Sequence, residues 1–146
     1  PEAVVYGLDI SPDAVAVAER NAARHKVSVN WLVSDLLEGL IHQTLDGPVY
    51  IVSNPPYIAP HEFSGLDKEV RDYEPRQALV AENDGLWFYQ QITRQAALFE
   101  HCAGLFFEVG YRQAAAVADI LRARFPGDVQ RVCDLGGKER VVYTVL

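Results

Sequence analysis

"VYIVSNPPYI", residues 49–58, joins a four-residue apolar run to a corner built from an asparagine, two prolines and a tyrosine. Residues 49–52 read as a buried strand. Proline lacks a backbone N–H and holds φ near one value. It also forces the residue before it into an extended conformation. Asn54 and Pro55 each precede a proline, so both are held extended. A strand that ends so stiffly is either a plain turn or a device that aims an amide and a carbonyl at a ligand.

Working outward, two more strands end in polar residues. Residues 3–8 read as a strand that stops at Asp9, and residues 29–33 as one that stops at Ser34 and Asp35. Between them, Ser11, Pro12 and Asp13 mark a helix start, with Ser11 as N-cap and Pro12 in the first turn. Val15, Ala18 and Ala22 then recur at helical spacing up to His25. Downstream, residues 59–84 are polar and weakly periodic, so a functional loop with short ordered pieces is expected. Asp84-Gly85 breaks the chain before a helix over 86–100 with Tyr89, Ile92, Ala96 and Phe99 on one side. A strand over 105–109 ends at Gly110. Val117, Ile120 and Leu121 mark a further helix, closed by Pro126-Gly127. Strands 129–133 and 141–145 flank Leu135-Gly136-Gly137, a link too short for a parallel crossover, so they pair antiparallel. Alternating strands and helices imply one α/β domain over 1–146, a mostly parallel sheet covered on both faces, with antiparallel C-terminal strands.

The chain has 146 residues, 49% apolar and 23% charged, an ordinary globular composition. No apolar run reaches membrane-span length. Two distant cysteines, Cys102 and Cys133, and the absence of a leader point to a reduced, cytoplasmic setting. Pro1 is not a start residue, so sequence is expected upstream. The histidines, His25, His42, His61 and His101, show no metal-ligand spacing. A net charge of −7 disfavours nucleic-acid binding, which needs cations against phosphate. Arg112, Arg122, Arg124 and Arg131 read as a solvated helix face.

Ligands of open α/β sheets bind beyond the carboxyl ends of the strands. Asp9, Asp35 and Asn54 stand at three successive such ends. One acid there can accept both hydroxyls of a ribose, and a second can accept an adenine amino group. Any one alone is best read as a turn cap; three together favour a nucleoside site. The G-x-G-x-x-G of dinucleotide folds is absent, as is a phosphate-binding P-loop.

Asn54-Pro55-Pro56-Tyr57 resembles the N-P-P-Y motif of S-adenosylmethionine-dependent amino-methyltransferases. Residues 69–75 (EVRDYEP), Ala78-Leu79, Asp84-Gly85-Leu86, residues 107–110 (FEVG) and residues 134–141 (DLGGKERV) narrow the likeness. Together they resemble the peptide chain release factor glutamine N5-methyltransferases. The resemblance implies a Rossmann-like class I fold, S-adenosylmethionine as cofactor and the Gly-Gly-Gln loop of a release factor as substrate. It matches Asp9 to the ribose-binding acid and Asp35 to the adenine-side acid, with Ile10 and Leu36 flanking the adenine. Asn54 and Pro55 match the groups that grip the substrate amide, beside Pro56 and Tyr57, and Asn54 is expected to border the cofactor as well. The family's first strand, its Gly-rich loop and its helical substrate domain have no counterpart here, so the chain reads as the C-terminal part of a catalytic domain. Three alternatives stay open: a ribosomal-protein glutamine methyltransferase, a DNA adenine-N6 methyltransferase, and an inactive piece that does not retain cofactor.

The implied chemistry suits the corner. An amide nitrogen is a weak nucleophile because its lone pair is shared with the carbonyl. The Asn54 side-chain oxygen and the Pro55 carbonyl can accept its N–H bonds, return density to nitrogen and fix its direction. Tyr57 can pack on the flat amide. No metal and no dedicated base are required. Other readings are plainer: Glu69, Arg71 and Glu74 line the substrate cleft or form a solvated loop face, with neither favoured; Cys133 is a small core residue, Trp31 and Trp87 are core or surface anchors, and Glu108 with Gly110 is a brace for a neighbouring loop.

Overall fold

The computed structural model describes residues 3–146. The chain divides into two compact units, Pro1–Leu45 and Asp46–Leu146.

In the first unit, β1 (Tyr6–Asp9) pairs in parallel with β2 (Asn30–Val33), with Asp9 opposite Val33. The crossover is α1 (Pro12–His25), which starts as the sequence dictates: the Ser11 hydroxyl accepts from the Ala14 N–H at 3.2 Å, and Pro12 occupies the first turn. Its end carries no glycine signal. Lys26 takes the left-handed conformation at φ 57°, and the Val27 N–H reaches back to the Ala22 carbonyl. A short α2 (Glu38–Ile41) was not anticipated, because four residues are too few to show a period.

The second unit is a four-stranded sheet in the order β3-β4-β6-β5. β3 (Val49–Ser53) runs parallel to β4 (Cys102–Glu108). β5 (Val129–Cys133) and β6 (Glu139–Val145) form the expected antiparallel hairpin, and β6 slots between β5 and β4. The 59–84 segment does hold short pieces, among them α3 (Lys68–Tyr73) and α4 (Glu82–Gly85). α4 is a single turn in which Asn83, Asp84 and Gly85 all have positive φ. Asn and Asp tolerate that region better than other side chains, and Gly tolerates it best. Two longer helices follow, α5 (Trp87–Ala96) and α6 (Ala114–Arg124).

The sheet register explains the core. Ile51, Leu105, Thr144 and Val129 line up across the four strands, and all are buried. α5 and α6 pack on the strands of this sheet. Phe107, fully buried, meets Tyr89 of α5 edge to face at 5.4 Å, the geometry aromatic quadrupoles prefer. The Thr144 hydroxyl, also buried, donates to the Asp128 carbonyl at 3.1 Å. One residue along, the row Val52, Phe106, Tyr143 and Gln130 points to the other face. There Val52 is 79% exposed, and Phe106 stacks on Tyr143 at 5.1 Å. Within this unit the expected cover of the sheet is therefore found on one face.

Candidate active site

In the first unit, Asp9 and the Asp35 corner follow the carboxyl ends of adjacent parallel strands. Both aspartates are exposed. One Asp9 oxygen accepts the Ser11 N–H at 2.8 Å, so Asp9 also shapes the turn into α1. Ile10 beside it is 59% exposed. The Asp35-Leu36 corner is braced by Ser34, a buried residue read from the sequence only as a strand end. Its hydroxyl donates to the Leu36 carbonyl at 3.1 Å and accepts the Gly39 N–H at 2.9 Å. Leu36 sits at φ 51°.

In the second unit, the Asn54-Pro55-Pro56-Tyr57 corner follows directly on β3. Pro55 is buried, Tyr57 half-buried and Asn54 exposed. Among the described residues the Asn54 amide has no hydrogen-bond partner. The exit from the corner is tied down on two sides. Ile58 bridges in parallel to Val80: its N–H donates to the Leu79 carbonyl at 2.9 Å, and its carbonyl accepts the Ala81 N–H at 2.9 Å. On the other side, the Tyr57 carbonyl accepts from the Gln113 side-chain amide at 3.0 Å. Gln113 also accepts the Gly110 N–H at 3.1 Å, so the Gly110 corner does hold a neighbouring loop. A Cβ on Gly110 would lie 2.6 Å from the Gln113 oxygen and 2.7 Å from the Tyr57 ring. Only glycine permits that approach.

Beneath the corner, Tyr89 is fully buried and its hydroxyl donates to the Glu108 carbonyl at 3.0 Å. Burial, then the neighbouring Tyr57, push its pKa well above the ordinary value, so it stays a neutral donor. Beside the corner lies a groove of about 640 Å³ whose walls include Tyr57, Glu62, Leu66, Arg112 and Arg140. Its charged residues are of both signs, and Arg140 is paired with Asp134 at 3.3 Å. The Arg112 guanidinium lies 4.8 Å from the centre of the Tyr111 ring, and the Lys138 ammonium lies 5.5 Å from it. A hydrogen bond from Arg112 and its charge, with a further contribution from Lys138, lower the pKa of the Tyr111 hydroxyl.

The late arginines do not share one helix face. Arg122 and Arg124 belong to α6, with Arg122 paired to Asp119 at 3.0 Å. Arg131 lies in β5 and pairs with Glu139, while Arg112 stands in the loop after β4. Cys133 is exposed rather than core; it ends β5, an edge strand of the sheet. Arg71 pairs with its neighbour Asp72 at 2.9 Å, and Glu69 and Glu74 are exposed; Glu69 and Arg71 lie on α3 rather than in a loop. Among the described residues no cluster of His, Cys, Asp and Glu could hold a metal ion. Among the described residues, none of the helices is long and apolar enough to cross a membrane.

The model of the Methyltransferase small domain matches residues 1–69. The release factor glutamine methyltransferase of Geobacter sulfurreducens is 40% identical over 94% of this chain and 50% of its own length. The release factor-specific protein-(glutamine-N5) methyltransferase of Alicyclobacillus acidocaldarius is 32% identical over 95% of this chain and 77% of that one, at a TM-score of 0.48. The amino-acid identity to the Geobacter protein carries the likeness. The chain belongs to the release factor glutamine methyltransferase family. Its fold is the Rossmann-like α/β fold of class I methyltransferases. The hMettl16 catalytic domain, solved with the MAT2A 3′UTR hairpin 1, shares that fold at a TM-score of 0.71 and 15% identity, covering 97% of this chain and 55% of that one. The chain spans about half the length of the curated release factor glutamine methyltransferases it matches.

Proposed function

We propose that residues 1–146 form a methyltransferase catalytic domain that acts on the side-chain amide nitrogen of glutamine in the Gly-Gly-Gln loop of release factors, in the cytoplasm. The observation that carries this reading is the Asn54 corner: an exposed carboxamide with no internal partner, on a proline-stiffened strand end tied down on both sides.

The residues of the first unit fit S-adenosylmethionine. Asp9 keeps one carboxylate oxygen free of the turn for ribose hydroxyls, and Asp35 is an exposed acceptor for an adenine amino group. Ile10 and Leu36 supply apolar surface beside them. When bound, that cofactor supplies a methyl group already activated by its sulfonium.

The chain's own residues present the acceptor nitrogen. Asn54 Oδ1 and the Pro55 carbonyl accept its two N–H bonds and set its direction, and Tyr57 packs on the carboxamide plane and excludes water. Holding a reactant in a near-attack pose is worth about 7–11 kcal/mol in well-oriented reactions. The corner is rigid before substrate arrives, so little of that is lost to reorganisation.

The test offers the full-length protein a release factor and, separately, adenine-containing DNA. Transfer to release factor is expected. Asn54→Ala should lower it by on the order of 10²- to 10³-fold, the usual cost of removing one preorganised hydrogen-bonding group, while cofactor affinity by calorimetry stays nearly intact. Transfer to DNA alone, or an unimpaired Asn54→Ala rate, would overturn the proposal.

A further inference from the structure

We infer that Gln113 is a positioning residue for methyl transfer, a side-chain clasp that holds the substrate-gripping corner in register; this rests on the function proposed above. Gln113 is assigned no contact with substrate or cofactor of its own. It acts through the backbone of Tyr57.

The clasp uses the whole hydrogen-bonding capacity of one amide nitrogen. Its two protons go to two carbonyls on different segments, Tyr57 at 3.0 Å and Asp84 at 3.3 Å, and its oxygen takes the Gly110 N–H at 3.1 Å. The orientation of the amide is dictated by its neighbours. Reversed, the oxygen would face two carbonyl oxygens and the nitrogen would face an N–H. Three loops therefore meet on one side chain: the motif after β3, the left-handed turn of α4 and the corner after β4.

The surrounding sequence is cut to admit that side chain. Gly85 at φ 79° and Gly110 both lie so close that a Cβ on either would strike Gln113. Gln113 itself is anchored where α6 begins, its carbonyl accepting the Val117 N–H at 3.0 Å. A helix packed into the core thus carries the clasp, and the Tyr57 carbonyl is held from a rigid element. The Ile58–Val80 bridge fixes the chain one residue further on. With both in place the Asn54 amide and the Pro55 carbonyl inherit a set direction; without Gln113 the corner pivots about the bridge.

Two variants separate the arms of the clasp. Gln113→Glu keeps an oxygen for the Gly110 N–H but loses the donor, and sets a carboxylate against two carbonyls. Gln113→Leu keeps most of the volume and loses both arms. In the full-length protein both should lower kcat for methyl transfer by about 10- to 100-fold, the loss that a misplacement near 1 Å can cause. The KM for cofactor should stay within about twofold, as differential binding requires when ground-state contacts are untouched. A second readout needs no activity: in fluorotyrosine-labelled protein, the Tyr57 resonance, assigned with Tyr57→Phe, should shift or broaden in both variants.

If the parent methylates no amide, the proposed function fails, and the fluorine spectrum alone decides whether Gln113 holds Tyr57. Parent-like kcat in both variants, or lower thermal stability with kcat unchanged, overturns the positioning role. So does full activity in Gln113→Glu beside a crippled Gln113→Leu, because the donor arm would then be idle. An unmoved Tyr57 resonance overturns it on structural grounds.

Discussion

Replacing Gly85 by alanine tests how the corner is braced, and the structure sets the size of the effect. Two penalties combine. First, φ is 79° at this position, and an L-residue in the left-handed region costs about 1–2 kcal/mol. Second, the new Cβ lands between Tyr57 and Gln113. It would strike the Tyr57 carbonyl oxygen hardest, and would lie 2.5 Å from the Gln113 nitrogen and 2.9 Å from the Tyr57 carbonyl carbon, where ordinary contact begins at 3.4 Å. The nitrogen must retreat by at least 3.4 − 2.5 = 0.9 Å. The Tyr57 carbonyl oxygen, which the Cβ also strikes, must move away as well, so the 3.0 Å bond between them cannot persist. Each bond lost is worth about 0.5–1.5 kcal/mol, and Gln113 makes two to these carbonyls. The sum is about 2–5 kcal/mol, a large part of the ~5–15 kcal/mol that holds a domain folded. Gly137→Ala is the matched control. Gly137 also has a positive φ, 76°, but nothing lies within 4 Å of its Cβ position, so only the first penalty of about 1–2 kcal/mol applies. Equilibrium urea unfolding of both variants beside the parent measures the difference. Gly85→Ala should be the less stable by about 1–3 kcal/mol, the worth of two such bonds. Equal losses would show that the chain yields to the methyl group without opening the clasp, and would refute the reasoning.

Phe107→Ala empties a fully buried site and removes the edge-to-face partner of Tyr89; urea unfolding should show a loss of about 3–5 kcal/mol, and a loss under ~1 kcal/mol would mean the site collapses around the gap. Asp134 governs the β5–β6 turn. Its carboxylate accepts the Gly136 N–H at 2.8 Å, the Lys138 N–H at 3.0 Å and the Arg140 guanidinium at 3.3 Å. The Lys138 and Gly136 amides and Arg140 hold its pKa below the ordinary 3.8. A lowered acid stabilises the fold fully above its unfolded pKa and loses that contribution as pH falls through the folded one. Asp134→Ala should therefore be less stable than the parent at neutral pH, with the gap closing only below 3.8; a gap constant down to the acid transition would remove the carboxylate from the account.

Much of this was legible because the relevant physics is local. A hydroxyl three residues from an amide, followed by proline, starts a helix wherever it occurs, and Ser11-Pro12 did so within one residue of the expected place. The short glycine link after β5 could only fold back, and it does. The stiffness of the Asn54 corner follows from proline geometry alone. Other features left no local trace. Lys26 closes α1 in a conformation usually given to glycine, and Cys133 lies open at the end of β5, an edge strand.

The amino-acid order by itself determined the alternation of strands and helices, the polar residues that close three strands, and the family likeness, since each depends on residues a few positions apart. Only the tertiary structure decided what braces the corner. Gln113 and Tyr57 are 56 residues apart, and they meet because β3 and β4 lie side by side in parallel, which brings their carboxyl ends, and the loops that leave them, to the same edge of the sheet.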